Sequence, residues 1–245
     1  MDRVVYQRMS ELEDEHWWFS ARRLMIQTIL GRLVTLPDDP KILEAGCGTG
    51  GNLKLLQSFG ATDAFEFDAS ARQFAAEKLR MPVPFGALPD TIPFARNAYD
   101  LICLFDVLEH IEDDLGSLKS LAGHLAQGGK IVLTVPAFPA LWSRHDERHH
   151  HFRRYTAKSM ARLAQAASLK ITHDGYFNTA LLPLAVTSRA INGLLRREVA
   201  DEAMPGPVLN NMLFRIFASE RHLIGRLRMP VGLSYFAVLS AQDEG

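Results

Sequence analysis

The sequence predicts an α/β fold with a doubly wound, mostly parallel seven-stranded sheet, an antiparallel C-terminal strand and helices on both faces. The first reason is that short apolar runs alternate with helical segments between residues 41 and 135. Such alternation is typical of parallel strands joined by crossover helices. The second reason is a glycine-rich turn at 46–51, directly after the first apolar run. Glycines there let the backbone approach a nucleotide-like ligand closely.

The first 36 residues precede this alternation and are expected to be helical. Ser20 is the expected N-cap of a helix that carries Met25 and Ile29 on one face, and Pro37 ends it. We expect residues 1–36 to form a helical lid over the site. The alternative is a helix that packs its aromatic side chains on the sheet edge.

Residues 37–178 are expected to form the core. Strands are predicted at 41–45, 62–67, 83–85, 99–104, 130–135 and 170–177. Helices are predicted at 51–59 and 70–79, from Asp113 or Asp114, and from Thr156. Residues 231–245 are expected to supply the final strand of the sheet.

Residues 179–230 interrupt this pattern as a predicted helical insertion. The segment carries seven arginines, at 189, 196, 197, 215, 221, 226 and 228, and no lysine. Together with its apolar clusters, this composition favours a cover over an acceptor pocket or a surface that docks on anionic lipid. An ordinary homodimer contact or a core-packing helix pair is the alternative.

Composition restricts the class of protein only mildly. A formal net charge of −1 gives no general attraction to nucleic acid or anionic membranes. The two cysteines, Cys47 and Cys103, lie in apolar or glycine-rich segments, so no disulfide is expected. No apolar signal core begins the sequence. We therefore expect a cytoplasmic protein. Its segment 179–230 could also contact a membrane peripherally.

Polar and small residues follow four of the predicted strands at their carboxyl ends, where ligands bind in doubly wound sheets. They are the turn at 44–51, Asp68, the segment 86–88 and the segment 105–110. Asp68 is placed to accept two hydrogen bonds from ribose hydroxyls. The turn also satisfies the G-x-G-x-x-G pattern of dinucleotide-binding proteins, so a nicotinamide cofactor is an alternative at this point.

The order of these segments resembles the class I methyltransferases that use S-adenosylmethionine. The matching sequences are Glu-Ala-Gly-Cys-Gly-Thr-Gly at 44–50, Phe-Asp-Ala-Ser at 67–70, Asp-Val-Leu-Glu-His at 106–110 and the strand segment at 125–136. The resemblance covers residues 41–136 and implies a Rossmann-like fold with S-adenosylmethionine as cofactor. It implies that the cofactor contacts Glu44, Gly46, Cys47, Gly48, Gly50, Asp68, Ala87, Leu88, Phe105 and Asp106. Carboxylates such as Glu44 and Asp106 suit a cationic sulfonium cofactor.

Two further segments are similar to bacterial methyltransferases associated with cell-surface glycan or lipid-linked substrates. They are His-Trp-Trp-Phe at 16–19 and the segment 142–156. The second segment makes Trp142, Arg153, Arg154 and Tyr155 candidates for acceptor binding. Arginines clamp phosphates or carboxylates well, but an ion pair of Arg153 or Arg154 with Asp146 or Glu147 is an equal alternative.

Histidines are concentrated after the strand at 130–135, where an acceptor would lie. His145 and His151 are the predicted catalytic bases, and His110 is a further candidate, because imidazole takes a hydroxyl proton near neutral pH. No metal site is predicted. A site built from His145, Asp146, His149 and His151 was the alternative, which no cysteine or separated histidine pair supports.

The predicted function is therefore S-adenosylmethionine-dependent methyl transfer to a small or lipid-linked acceptor, at oxygen, by in-line displacement with a histidine base. An NAD-dependent oxidoreductase and a non-catalytic cofactor-binding protein are the alternatives. Nucleic acid is not expected as a partner, because the charge is near neutral and Asp-Val-Leu-Glu stands where a nucleic-acid methyltransferase would carry Asn-Pro-Pro-Tyr or Asp-Pro-Pro-Tyr.

Overall fold

The computed structural model describes residues 3–195 and 204–242. Its helices are α1 (Arg3–Leu12), α2 (Trp17–Leu33), α3 (Leu53–Gln57), α4 (Ala69–Leu79), α5 (Asp114–Ala122), α6 (Arg144–Arg148), α7 (Ala157–Ala166), α8 (Leu182–Leu195) and α9 (Pro207–Ser219). Its strands are β1 (Lys41–Ala45), β2 (Ala61–Phe65), β3 (Tyr99–Phe105), β4 (Leu125–Pro136), β5 (Leu169–Phe177) and β6 (Ser234–Ala241). Single turns of 3-10 helix lie at Leu108–His110, Pro139–Leu141 and Glu220–His222.

The strands form one sheet in the order β2-β1-β3-β4-β6-β5. The strands from β1 to β4 pair in parallel, and β6 pairs antiparallel to both β4 and β5. The predicted Rossmann-like architecture with an antiparallel C-terminal strand is therefore confirmed. Because β2 and β3 lie on opposite sides of β1, the strand order reverses there, and the carboxyl ends of β1 and β3 form the crevice in which ligands bind.

The sheet formed by the described residues has six strands, one fewer than predicted. The segment at 83–85 pairs with the chain after β2 only through a single parallel bridge between Glu66 and Phe85. Pro82 and Pro84 flank Val83, and proline has no N–H to donate to a strand ladder. The segment therefore lies along the sheet edge without forming a regular strand.

Apolar side chains alternate between the two faces of the sheet. Ile102 and Leu104 of β3 belong to the cluster that packs against α5 and α7, whereas Leu101 and Cys103 belong to the cluster that packs against α2 and α9. This period of two is the consequence of strand geometry. All four side chains are fully buried, which places the sheet as the middle layer of three.

The starts of α7 and α2 test two predicted capping residues. Thr156 accepts a hydrogen bond from the amide of Ser159 at 3.1 Å, as predicted for the start of α7. The prediction of Ser20 as an N-cap is wrong. The N-cap of α2 is His16, whose Nδ1 accepts a hydrogen bond from the Trp18 amide at 3.3 Å. An imidazole nitrogen therefore caps the helix in place of the expected serine hydroxyl.

Within 179–230, α9 packs directly on α2. Asn210 accepts a hydrogen bond from the Trp17 amide at 2.9 Å, and Leu213 and Phe217 are buried against the sheet. This contact matches the alternative of core packing for this part of the segment. Arg196 and Arg197, which belong to the predicted arginine-rich insertion, lie outside the described residues.

Candidate active site

The turn after β1 is shaped by glycines in left-handed conformations. Gly46, Gly48 and Gly50 have φ of 75°, 56° and 85°, which non-glycine residues rarely adopt. The amide of Gly46 donates to the carbonyl of Phe65 at 2.9 Å and ties the turn to β2. A Cβ at Gly46 would lie 2.8 Å from the Val107 side chain, whereas one at Gly48 would meet nothing within 4 Å. The turn therefore joins the ends of three strands and leaves open space beside Gly48.

Glu44 is the residue before the last one of β1, beneath this turn. Its side chain is buried, Oε1 accepts from the Asn52 amide nitrogen at 3.1 Å, and Oε2 has no partner. Burial raises the pKa of Glu44 to about 8. A buried carboxyl group with an unsatisfied oxygen is the kind of group that a cationic ligand stabilises.

The two acidic residues after β2, Glu66 and Asp68, have different roles. Asp68 accepts from the amides of Ser70 and Ala71 through one oxygen, at 2.8 and 3.0 Å, and so caps α4. Glu66 is buried, and it accepts from the amides of Gly48 and Asp68, both at 2.9 Å. Glu66 was not among the predicted site residues, although it follows β2 and lies two residues before Asp68.

Ala87 and Leu88 lie in a short loop next to this edge. The backbones of Ala87 and Thr91 exchange hydrogen bonds of 2.8 and 2.6 Å, which close the loop. Leu88 is half-buried and packs against the core. Cys47 is buried, and burial raises the pKa of its thiol well above the usual range, so it packs as an apolar side chain.

Asp106 begins the turn after β3 and is tied to neighbouring elements. Its φ is 56°, and its amide donates to the Thr134 carbonyl at 2.9 Å. Arg22 of α2 forms an ion pair with Asp106 and donates to the Thr134 hydroxyl at 3.0 Å. The buried guanidinium of Arg22 also lies 5.3 Å from the Trp18 ring and 5.8 Å from the Phe105 ring.

The N-terminal helices lie over the glycine turn. The buried carboxylate of Glu13 accepts from the Thr49 hydroxyl at 2.8 Å and pairs with Lys78 of α4. Burial and the charges of Glu66 and Asp68 raise the pKa of Tyr6 above its usual range, which places Tyr6 beside those carboxylates. These contacts are those expected of a lid, and the role of a lid stays a prediction.

The histidine-rich loop is organised by one buried carboxylate. Asp146 of α6 accepts from Arg154 through Nε at 2.7 Å and Nη2 at 2.9 Å, and its Oδ1 lies 2.9 Å from Nδ1 of His151. The Ser143 amide adds a bond of 2.8 Å. Burial alone would raise the pKa of Asp146, but the bonds from His151 and Arg154 outweigh it and hold the pKa well below its usual range.

His110 and His151 approach each other above the end of β3. Their ring centroids lie 4.6 Å apart, edge to face, and the His145 ring lies 6.1 Å from that of His151. Burial and the neighbouring histidines lower the pKa of His110 to about 3. Glu109 is 1% exposed, and its Oε2 has no hydrogen-bond partner. The structure therefore brings the three predicted histidines together and adds a carboxyl group that was not predicted.

The four candidate acceptor residues have different environments. Arg154 is buried and bound to Asp146 and to the carbonyl of Ala137, so the structure assigns it the alternative role of an ion pair. Tyr155 is buried in the core, and its hydroxyl donates to an Asp114 oxygen at 3.0 Å, so its role at the acceptor stays a prediction. Arg153 pairs with Asp114 at 2.5 Å and stays 30% exposed, and Trp142 is 41% exposed. The last two remain accessible.

The fold and this crevice together define a methyltransferase of the S-adenosylmethionine-dependent class. A methyltransferase domain family matches residues 17–174, well over half of the chain, and the chain belongs to this family. The predicted class of enzyme and its predicted cofactor are thereby confirmed at the level of the family. No curated protein matches the chain in sequence.

Solved structures show the same fold at low identity. A chain from the Haloferax volcanii complex of the Trm112 methyltransferase activator with a methyltransferase shares 15% identity, with 99% of this chain and 96% of that chain covered and a TM-score of 0.61. The Streptomyces coelicolor geranyl diphosphate C-methyltransferase, with Mg²⁺, geranyl diphosphate and S-adenosylhomocysteine, shares 15%, with 91% and 79% covered and a TM-score of 0.60. The Haemonchus contortus phosphoethanolamine N-methyltransferase 2, with S-adenosylmethionine, shares 12%, with 89% and 52% covered and a TM-score of 0.58.

The helices carry one further finding. Among those of the described residues, no helix is both long and apolar enough to cross a membrane.

Proposed function

We propose that this protein transfers the methyl group of S-adenosylmethionine to an oxygen of a small or lipid-linked acceptor. The observation that carries the proposal is the arrangement at the carboxyl ends of β1 and β3. We assign buried Glu44 and the Asp106 carboxylate to the cofactor. His110 ends the single turn of 3-10 helix after Asp106, and its ring contacts that of His151 from the histidine-rich loop. Methyl transfer by in-line displacement needs two such sites side by side.

The residues present fit the cofactor. The unsatisfied oxygen of Glu44 and the Asp106 carboxylate suit a cationic amino-acid end, and the space beside Gly48 admits a ligand close to the backbone. Asp68 uses only one oxygen for its cap bonds, so its other oxygen is available for a ribose hydroxyl. When bound, the cofactor supplies an activated methyl group on sulfur.

We propose oxygen as the acceptor atom because a group of histidines lies beside the turn after β3. A hydroxyl is a weak nucleophile until its proton is removed, and a histidine group can make it reactive near neutral pH. His151 is the member of the group whose ring is oriented by a carboxylate, since Asp146 holds its Nδ1 at 2.9 Å. His145 and His110 lie beside it, and we assign the accessible Trp142 and Arg153 to contacts with the rest of the acceptor.

A lipid-linked acceptor is supported by the surface of α9 and the turn after it. Val208 is 85% exposed, Leu209 46% and Leu227 57%, and the exposed Arg226 and Arg228 flank Leu227. Apolar side chains among arginines suit the surface of an anionic membrane. We propose a cytoplasmic protein that contacts a membrane at this surface; a homodimer that buries the same side chains is the alternative.

Calorimetry tests the cofactor. We expect S-adenosylmethionine and its demethylated product to bind with one site per chain, and NAD to give no heat. Binding of NAD in place of the sulfonium would favour the oxidoreductase.

A transfer assay with tritiated methyl groups over lipid-linked sugars, quinone precursors and hydroxy acids then tests the acceptor. Activity restricted to amines or to nucleic acid would contradict the proposal.

Vesicle co-sedimentation tests the membrane contact. Wild-type protein should pellet with anionic vesicles, and Leu209→Glu, which changes only an exposed side chain, should weaken that binding while cofactor binding stays unchanged. A dimer in wild type that Leu209→Glu converts to a monomer, without vesicle binding, would favour the alternative.

A further inference from the structure

The group formed by Glu109, His110 and His151 has the composition of a metal site. Each residue offers one ligand atom, and the three atoms lie within 4.8 Å of one another. Two imidazoles and one carboxylate with open positions form a common catalytic ligand set for divalent transition metals. Three such side chains meet here although Glu109 and His110 come from the turn after β3, and His151 from the distant histidine-rich loop.

The second observation is that Glu109 lacks a partner. The residue is 1% exposed, and its Oε2 has no hydrogen-bond partner. A buried carboxylate oxygen without a partner destabilises a fold, because it has lost its water and gained no hydrogen bond in return. A bound cation would satisfy this oxygen, which nothing else among the described residues does.

The two histidines are already oriented as metal ligands usually are. Nδ1 of His151 donates to the Asp146 carboxylate at 2.9 Å, and that carboxylate is kept ionised by Arg154. The His110 ring donates to the backbone carbonyl of His149. A histidine ligand almost always donates its other ring N–H to a carboxylate or a backbone carbonyl, which fixes its tautomer and leaves the second nitrogen for the metal.

The backbone holds the two parts of this group together. The amide of Phe152 donates to the carbonyl of Glu109 at 2.7 Å, and the amide of His151 donates to the carbonyl of Asp146 at 2.9 Å. The group is thus supported from both segments, as a preorganised site requires.

We propose that Glu109, His110 and His151 bind one divalent transition-metal ion, of the zinc or cobalt kind, beside the methyl-transfer site. This inference departs from the sequence-based expectation of no metal, which considered His145, Asp146 and His149 together with His151. Asp146 is instead occupied by Arg154 and orients a ligand without being one.

For the reaction, the inference rests on the proposed methyl transfer to oxygen and changes the part that the histidines play in it. An acceptor hydroxyl that binds the ion loses its proton to water more readily, because coordination lowers its pKa. Its oxygen then bonds to the methyl carbon while the bond from that carbon to sulfur breaks, and sulfur keeps the electron pair. His110 and His151 act here as ligands, and this replaces a direct role as bases.

The test measures metal binding without turnover. Chelator-treated wild-type protein is titrated with Zn²⁺ by calorimetry and with Co²⁺ by visible absorption, whose bands report nitrogen ligands. We expect one ion per chain. Glu109→Gln and His151→Asn should weaken Zn²⁺ binding at least about ten-fold, the scale on which even supporting groups of metal sites act. Glu109→Gln keeps the shape of the buried side chain, and thermal unfolding checks that each variant is folded.

The matched control is His173→Asn, an exposed histidine in β5 outside the group, which should bind Zn²⁺ and Co²⁺ like wild type. Absence of binding in folded wild type, or equal binding by Glu109→Gln, His151→Asn and wild type, would overturn the inference. Cofactor binding is measured separately in the chelator-treated protein. A protein that binds Zn²⁺ but not S-adenosylmethionine would disprove the proposed function and leave the metal site standing.

Discussion

The two halves of the crevice are built by different means. The cofactor half is made of backbone: three glycines with positive φ, and a turn bonded to the end of β2. The acceptor half is made of buried side chains that meet across the chain, with Asp146, Arg154 and His151 at its centre. The difference teaches that the proposed donor site depends on local backbone geometry, whereas the proposed acceptor site depends on polar contacts between residues far apart in the sequence.

The sharpest way to break this comparison is Asp146→Ala. The change leaves the buried guanidinium of Arg154 without its carboxylate, and such a loss typically destabilises a protein by about 3–5 kcal/mol. Urea unfolding should show a decrease of that size, whereas Asp39→Ala, at an exposed loop position, should change stability little. A small effect of Asp146→Ala would mean that the acceptor half does not depend on this network.

Gly46→Ala tests the glycine turn of the cofactor half. The new Cβ would lie 2.8 Å from Val107 at a φ of 75°, and a positive φ and overpacking each cost about 1–3 kcal/mol. We expect affinity for S-adenosylmethionine to fall about a hundred-fold in calorimetry. Gly31→Ala lies inside α2 with nothing within 4 Å and should leave that affinity unchanged. Equal affinities in the two variants would contradict the role of the turn.

The titration of Glu44 sharpens the comparison further. Its pKa is raised to about 8, so in the free protein it favours the neutral form below that pH. A cationic ligand prefers the ionised form, and affinity for S-adenosylmethionine should rise up to about ten-fold per unit between pH 6 and pH 8. Glu44→Gln should remove this slope. Because the folded pKa lies above the unfolded one, Glu44 stabilises the free protein at low pH and loses that contribution as the pH rises toward 8.

Asp68→Ala gives the smallest expected effect. The loss of its cap bonds to Ser70 and Ala71 should destabilise α4 by about 1 kcal/mol, visible as a lower thermal midpoint. The loss of one ribose contact should weaken cofactor affinity roughly ten-fold. Ser58→Ala, in the exposed turn after α3, is the control. Unchanged cofactor affinity in Asp68→Ala would indicate that Glu66, and not Asp68, binds the ribose hydroxyls.

The sequence predicts the fold and the cofactor well because their signals are local. A strand, a glycine turn and the acid at the next strand end lie within about 25 residues from Glu44 to Asp68. The sequence does not reveal that Arg154 and Tyr155 are buried. An arginine or a tyrosine at these positions suits a buried polar contact as well as an exposed contact with an acceptor. The role of Glu66 could have been inferred from its spacing to Asp68. The meeting of Glu109 with His151 could not, because it depends on how a distant loop folds back.

The ion pair of Arg22 with Asp106 has a kinetic consequence. It links α2 to the floor of the crevice, while Glu13 and Thr49 link the preceding turn to the glycines. On the proposal that residues 1–36 form a lid, a cofactor enters the crevice only after these bonds open. Its rate of association should therefore level off at high concentration, at the opening rate of the N-terminal helices, so that the covering segment sets the speed of loading as well as the shape of the site.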